Sequence, residues 1–339
     1  MAPWLDIERP DDLVAWLRAR RLIEPDENPI VSVLAGGVSS RTVRVSSDRR
    51  DWVLKQPLAK LRVPTDWFGD PSRAHREANA LRWMPALAPG ATPILVFEDR
   101  AEHIVSMTAV PEPHENWKDM LLGGNVQHAH VERFAEILAS IHLRSGERLD
   151  ELEPEFGDKR HFRSLRLEPY YQYTARQLPA AAAFLDQLCL EADSIMETLV
   201  HGDFSPKNVL VRADRQLILV DHEVSHLGDP AFDLGFSFAH LLAKAHHLPQ
   251  SRERLFEAVR LYWSVYDRRS RLASWRAGLE ERAVRQTVGC LIARAAGRSQ
   301  LEYLSADEKV RQRELALDLI YEQPTTIPAL VDAWEATAA

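Results

Sequence analysis

Residues 199–235, "LVHGDFSPKNVLVRADRQLILVDHEVSHLGDPAFDLG", decide what kind of molecule this is. Asp203 and Asn208 stand five positions apart in a polar loop, and Asp221 follows thirteen positions later. The apolar runs "VLV" and "LILV" between them read as a strand hairpin. The same stretch contains His222-Glu223-Val224-Ser225-His226, literally H-E-x-x-H. Two chemistries therefore compete for one segment.

A zinc peptidase needs H-E-x-x-H on one helix, so that both imidazoles face the metal and the carboxylate reaches its bound water. The local sequence opposes a helix. "LILV" runs straight into the motif as a buried strand would, and Gly228 and Pro230 follow almost at once. The extended metalloprotease pattern also fails, because Gly228 comes one residue early and no histidine follows at the required place. A zinc hydrolase is thus a remote alternative, with His222 and His226 expected to be structural or cleft-lining.

Phosphoryl transfer needs different parts. A carboxylate must stand near the acceptor hydroxyl, and a carboxylate plus an amide oxygen must hold Mg²⁺ against the phosphates. Asp203, Asn208 and Asp221 match that set in order and spacing. Oxygen donors suit this hard cation, whereas imidazoles do not.

H-G-D-x-x-x-x-N, then an aspartate opening a loop, then G-D-P-x-x-D: in this order the stretch resembles the catalytic core of the aminoglycoside phosphotransferase and choline kinase-like superfamily, relatives of the protein kinases. The resemblance implies an α+β, two-lobed, protein-kinase-like fold: a small, mainly antiparallel sheet lobe with one key helix, and a larger, mainly helical lobe. It implies that Asp203 is the catalytic base or hydroxyl-orienting group and that Asn208 and Asp221 are metal ligands. His201 would brace the loop, and Asp233 would hold its backbone. Lys207 is a candidate γ-phosphate contact and Glu223 a candidate metal-site group.

The N-terminal part carries matching pieces. Lys55 in "WVLKQ" lies on a strand, and Glu77 in "AHREANAL" lies on the next helix. A lysine on the α/β-phosphates, oriented by a helix glutamate, is the kinase arrangement. "LAGGVSSRT" sits between two strands, with Gly36, Gly37 and Ser39 placed for backbone contact with phosphate. It is no Walker A loop, since G-x-x-x-x-G-K-[ST] does not occur. The hinge is expected at "VSMTAVP", where backbone groups from Ser106 through Thr108 to Ala109 would meet the adenine. "VLKQPLAKLRVPTDWFGDPSRAHREANAL" and "DHEVSHLGDPAFDLGF" are also similar to the matching stretches of methylthioribose kinases, although "HGDFSPKN" departs from theirs. The acceptor therefore stays open among sugars, amino alcohols and aminoglycosides.

Outside these motifs the chain is 339 residues with 45% hydrophobic and 27% charged residues, enough for one or two ordinary domains. A net charge of −8 argues against a nucleic-acid partner, which would need a basic surface. Only Cys189 and Cys290 occur, too few for a disulfide framework or a cysteine zinc site. The acidic, interrupted N-terminus is unlike a signal peptide, and no apolar run is long enough to span a membrane, so a cytoplasmic protein is expected. Periodicity predicts a helix over 10–21 capped by Asp11 or Asp12, strands through about residue 108, and helices over 128–143, 178–199, 231–246, 251–267, 275–297 and 308–321. The lobes are drawn as 1–110, nucleotide-binding, and 111–339, carrying the catalytic loops and acceptor site. Arg294 and Arg298, four apart on a helix end, are candidate substrate contacts, and Trp67 and Trp117 candidate pocket walls. The sequence sets neither an oligomeric state nor a choice between ATP and GTP. The expected activity is an ATP- and Mg²⁺-dependent kinase of a small hydroxylated molecule. A nucleotide-binding pseudokinase is the alternative, disfavoured by the complete set Lys55, Glu77, Asp203, Asn208 and Asp221.

Overall fold

A computed structural model describes residues 5–34, 37–63 and 66–338. Helix α1 (Pro10–Ala19) begins one position earlier than its acids suggest. Arg9 is the N-cap, Pro10 takes the first helical position, and Asp11 and Asp12 fall in the first turn. Proline suits that position because its missing N–H would be unsatisfied there anyway, and the acids favour the positive end of the helix dipole.

Alternating apolar residues build the first sheet. Strands β1 (Ile30–Val33), β2 (Ser40–Ser47) and β3 (Arg50–Pro57) are followed by helix α2 (Arg73–Leu87) and strands β4 (Leu95–Asp99) and β5 (Ile104–Thr108). They pair antiparallel in the order β1-β2-β3-β5-β4. Val43, Val45, Leu54 and Ile104 face α1 and meet Leu13 and Leu17. The opposite face carries Val53, Val105 and Met107 against Ala78 and Leu81 of α2. Side chains two apart on a strand share a face. Lys55, two on from Val53, is therefore delivered to α2, where Glu77 lies one turn before Leu81.

The rest is mainly helical: β6 (His114–Asn116), α3 (Trp117–Leu122), α4 (His128–Gly146), α5 (Leu149–Phe156), α6 (Arg160–Phe162), a π-helical segment (Arg163–Gln172), α7 (Tyr173–Gln177) and α8 (Pro179–Ser194). Strands β7 (Thr198–Val200), β8 (Val209–Arg212), β9 (Leu217–Leu219) and β10 (His226–Gly228) follow. Then come α9 (Pro230–His247), α10 (Arg252–Ser270), α11 (Leu279–Ala296), α12 (Ala306–Glu322) and α13 (Ile327–Ala338). β6, β8 and β9 form one small sheet, and β7 pairs antiparallel with β10 in another. The helix expected over 178–199 stops at Ser194, because Thr198, Leu199 and Val200 are taken up as a strand against β10. The helix expected from 275 starts at Leu279, behind a left-handed Gly278. Helices α5 and α13 and the π-helical segment were not anticipated.

Helix α9 is buried on every side from Pro230 to His246, as a helix apolar all round must be. It meets α11 at Gly235, where an added Cβ would stand 2.4 Å from Gln286 Cβ and 2.7 Å from Thr287 N. No helix among the described residues is long and apolar enough to cross a membrane.

The H-E-x-x-H segment is not helical. Glu223 and Val224 form a turn and His226 opens β10. His226 donates from Nδ1 to Val224 O at 3.0 Å and stacks on Phe162 with ring centroids 3.9 Å apart. Both imidazoles are packed into the interior, and the spacing cannot place them on one helix face.

Two outcomes follow from this packing. Gly235→Ala will destabilise the protein by about 1–3 kcal/mol, the usual penalty of overpacking, because the nearest atoms include backbone of α11. Urea unfolding measures it, and a midpoint equal to that of the parent contradicts the close approach. Burial pushes the His226 imidazole down to about 3, whereas an unfolded histidine takes its proton near pH 6.5. The unfolded state thus binds the extra proton first, and stability falls as pH drops from 6.5 towards 3. His226→Gln will flatten the pH dependence of ΔG between pH 6 and 4 by up to about 1.4 kcal/mol per pH unit. An unchanged slope means that His226 is protonated in the fold.

Candidate active site

The turn carrying Asp203 is shaped by one buried carboxylate. Asp233, fully buried in the first turns of α9, accepts from His201 N at 2.7 Å and Gly202 N at 2.9 Å. Gly202 sits at φ +77°, in the left-handed region that glycine enters without cost. A Cβ there would also lie 3.1 Å from Val224 O. Burial pulls the Asp233 carboxyl upward, but His142, His201 and the amide donors outweigh it, and the net is downward. His142 Nε2 lies 3.4 Å from Asp233, and its Nδ1 lies 2.8 Å from the Tyr266 hydroxyl. One turn along α9, the Ser237 hydroxyl lies 2.7 Å from Phe204 O.

Asn208 closes a 3₁₀ turn, Pro206–Asn208, and its amide nitrogen donates to Asp203 O at 3.0 Å and Oδ2 at 2.8 Å. With the nitrogen spent on Asp203, the amide presents its oxygen elsewhere. Arg166 of the π-helical segment reaches the same carboxylate, Nη2 to Oδ2 at 3.0 Å, while its Nε donates to Gly202 O at 2.7 Å. Asp203 is thus gripped from both sides and 8% exposed.

Asp221 follows β9 at φ +70°, a conformation in which aspartate is enriched among non-glycine residues. Its Oδ1 lies 2.5 Å from Lys55 Nζ, and Lys55 also donates to Glu77 at 2.8 Å. Burial pulls Asp221 up, but Lys55, Lys207 and His201 more than compensate and hold it below the usual carboxylate range. Burial likewise works against the Lys55 ammonium, yet Asp221, Glu77 and Glu223 keep it firmly protonated. Glu77 is the weaker partner: burial pushes it up to about 7 against the pull of Lys55, and the Asp221 charge adds to the rise.

Glu223 does not stand free beside Asp221. Arg73, fully buried at the start of α2, donates from Nε to Glu223 Oε2 at 3.0 Å. The same guanidinium donates to Ser39 O at 2.5 Å, Leu58 O at 3.0 Å and Asp70 O at 3.1 Å. One arginine therefore ties the β1–β2 turn, the end of β3 and the segment after Asp221 together.

The other expected residues are placed as follows. Gly37 and Ser39 lie in the turn between β1 and β2, where Ser39 O also accepts from Leu58 N at 2.8 Å; Gly36 lies outside the described residues. Ser106 is inside the β5 ladder, opposite Leu54 and Phe97, with its side chain fully buried. Thr108 N donates to Ile94 O at 2.9 Å and its hydroxyl accepts from Ile94 N at 3.0 Å. These two are committed to the sheet and its margin. Lys207 is exposed on the 3₁₀ turn, close enough to Asp221 to lower its pKa. Arg294 Nη1 lies 3.0 Å from the Tyr170 hydroxyl, and Arg298 pairs with Glu168 at 3.3 Å. Trp67 packs with Leu61, Leu165 and Val224. Trp117 is fully buried against Phe134, with centroids 4.8 Å apart. His222 is a buried ring 4.8 Å from His201, held neutral by burial and by that neighbour.

Arg166 and Arg73 were missed. Their partners lie 37 and 150 positions away, and no local spacing signals either. The His240–Lys244 pair on α9 was missed despite a readable signal: polar residues four apart in an otherwise apolar, buried helix.

The assembled groups can orient a hydroxyl at Asp203, hold a positive charge at Lys55, and offer oxygen donors at Asn208 and Asp221. The model of the phosphotransferase enzyme family matches residues 30–271. No curated protein sequence matches. Among solved structures, the choline kinase from Cryptosporidium parvum Iowa II is similar at TM-score 0.58 and 14% identity, over 92% of this chain and 96% of that one. Choline kinase LicA from Streptococcus pneumoniae gives 0.50 and 14%, over 92% and 99%. Amicoumacin kinase hAmiN, solved with AMP-PNP, Ca²⁺ and Ami, gives 0.56 and 13%, over 94% and 96%. At such identities these likenesses establish the two-lobed, protein-kinase-like α+β fold. Because the family model spans well over half of the chain, from β1 to just past α10, the chain belongs to the phosphotransferase enzyme family.

Proposed function

We propose that this protein transfers the γ-phosphoryl group of ATP to a hydroxyl of a small molecule, with Mg²⁺ as the cofactor. One observation carries the reading. A carboxylate held by an amide and a guanidinium, Asp203, and the lysine-paired Asp221 both act on the buried His201 imidazole, and the same lysine meets Glu77. In this scheme Asp203 orients the acceptor O–H and receives its proton as the oxygen attacks phosphorus. The new O–P bond forms as the bond to the bridging oxygen breaks, and ADP leaves. Lys55 stabilises negative charge on the phosphates, and Glu77 fixes the lysine from behind. Positioning and charge stabilisation of this kind supply most of the rate in phosphoryl transfer.

The donor set fits a hard divalent cation. Asn208 has its amide nitrogen engaged by Asp203, and Asp221 is held ionised. Asn208 and Asp221 would hold Mg²⁺, which supplies charge neutralisation on the phosphates when bound. The AMP-PNP and Ca²⁺ in the hAmiN structure support nucleotide and metal use by a protein of this fold. Gly37 and Ser39 would lie over the phosphates. We assign nucleotide binding to residues 1–110 and acceptor binding to 111–339.

The test is ATP-dependent phosphorylation across a panel of small hydroxyl compounds, followed by release of ADP. Asp203→Asn keeps the shape of the turn and will lower kcat by about 10²–10⁴-fold, the usual contribution of a positioned acid–base group, with Mg-ATP binding retained by thermal shift. Full turnover in that variant sinks the assignment, and binding without turnover in the parent returns the pseudokinase. Lys55→Met will lower kcat by about 10²–10³-fold, the scale for losing one charge-stabilising donor. A change in acceptor KM alone contradicts a phosphate role for Lys55.

A further inference from the structure

Arg166, His240, Lys244 and Arg294 gather where α9, α11 and the π-helical segment pack together. Arg166, which holds Asp203, lies over the rings of Tyr170 at 5.7 Å and Phe236 at 6.0 Å. Arg294 lies over the same Tyr170 ring at 5.5 Å and bonds its hydroxyl at 3.0 Å. The His240 ring is 4.9 Å from Phe236, and Lys244 follows one turn later on α9, its Nζ 5.1 Å from the Tyr303 ring centre. Arg166, His240, Lys244 and Arg294 are all at most 9% exposed.

Two of these cations form no ion pair among the described residues. Lys244 donates only to His240 O at 3.3 Å, and Arg294 only to Tyr170 and Ser299. No carboxylate among the described residues forms an ion pair with either. The nearby acids are engaged elsewhere: Glu302 with Lys118 at 2.9 Å, and Glu168 with Arg176 at 3.0 Å and Arg298 at 3.3 Å. Asp119 is 71% exposed at the rim. Three buried polar atoms here, Arg294 Nε, His240 Nε2 and Tyr303 Oη, have no hydrogen-bond partner among the described residues. A buried cation without a partner is costly and eases that cost by giving up its proton, and an anion placed beside Lys244 and Arg294 would favour their charged forms.

We propose that the phosphoryl acceptor is an anion: a hydroxylated small molecule bearing a carboxylate or phosphate that seats against Arg294 and Lys244 with its hydroxyl toward Asp203. The electrostatics agree with the geometry. Burial and then Arg294 and Lys118 depress Lys244 to about 7, against Glu302 and Asp119. After burial, four cations act on His240, namely Arg294, Lys244, Lys207 and Arg166, and hold it neutral. A cationic acceptor would meet repulsion along this wall. Arg166 and Arg294 lie over one Tyr170 ring, at 5.7 and 5.5 Å, so both guanidiniums fall within reach of a single small molecule. The stripe Phe236, His240, Lys244 repeats every four residues and faces one way, so a single helix face carries the wall.

This inference rests on the phosphotransferase reading, and the experiment separates the two. Binding by calorimetry and ATP-dependent turnover are measured on the full chain with glycerate, gluconate, glucose 6-phosphate, neutral glucose, choline and kanamycin. The expected result is binding and turnover confined to the anionic probes, with carboxylate against phosphate deciding which headgroup is preferred. Lys244→Gln and Arg294→Gln each raise the KM for the anionic acceptor at least tenfold and leave the KM for ATP unchanged. Lys244→Arg, which keeps the charge, restores most of the affinity and controls for misfolding. Turnover of choline, kanamycin or glucose with no response to these substitutions overturns the anionic acceptor and leaves the phosphotransferase standing. Anion binding lost in both Gln variants without any turnover upholds the anion site and overturns the phosphotransferase. No binding or turnover with any anionic probe overturns the inference.

Discussion

A buried carboxylate, Asp233, sets the geometry on which the rest of the site depends. It reaches two consecutive backbone amides, His201 N and Gly202 N, from the first turns of α9. Removing a carboxylate from water is expensive, and two amide donors plus His142 offset that cost only if the loop keeps its shape. The loop in turn requires Gly202 in the left-handed region, which sends Asp203 towards Asn208 and Arg166. The same helix continues the work, with Ser237 one turn on meeting Phe204 O, and Phe236, His240 and Lys244 beyond it. One buried helix thus supplies both the clamp on the Asp203 turn and the wall proposed for the acceptor.

The junction of the lobes has a second logic, in which three carboxylates share two cations. Asp221 and Glu77 meet Lys55, and Glu223 meets Arg73. Lys55 sits nearer Asp221, at 2.5 Å, than Glu77, at 2.8 Å, and the two acids respond in opposite directions, Asp221 down and Glu77 up. The lysine is therefore shared unequally. An anionic phosphate arriving at Lys55 would compete with Asp221 for the ammonium, and a cation arriving at Asp221 would release the lysine. Arg73 works differently, because three of its four partners are backbone carbonyls from separate segments. It fixes the path of the chain around the site as much as it neutralises Glu223.

What could be read from the chain was what lies close together along it. Asp203, Asn208, Asp221 and Asp233 fall within 31 positions, so the loop-and-hairpin pattern gathers the first three and the family resemblance adds Asp233. Lys55 was legible as a strand lysine followed by a helix glutamate, and the structure pairs the two at 2.8 Å. Arg166 and Arg73 were not, since each acts through a contact between distant segments and sits among residues of no distinctive spacing. The error over 178–199 has a related cause. Residues 198–200 continue an apolar helical pattern, and only their pairing with β10 converts them to a strand. Tertiary pairing of that sort overrides local propensity. Glu223 shows the same limit, because its position beside Asp221 suggested a metal role and Arg73 was invisible from there.

The packing of α9 on α11 carries this coupling further. Gly235 brings the two helices close enough that Gln286 and Thr287 define their contact, and the Tyr171 hydroxyl donates to Gln286 Oε1 at 2.6 Å. Arg294 stands eight positions on from Gln286, about 12 Å along the helix at 1.5 Å per residue. Its reach to Tyr170 is therefore set by a contact that lies beside Asp233, two residues before Gly235. Tyr170 and Tyr171 are neighbours in the π-helical segment that also carries Arg166. The group that holds Asp203 and the group that ends the cationic wall are consequently registered against the same pair of helices. A displacement of α11 would move Arg294 and, through Tyr171, the segment that carries Arg166, so the reach of Arg294 and the grip on Asp203 are coupled in this architecture.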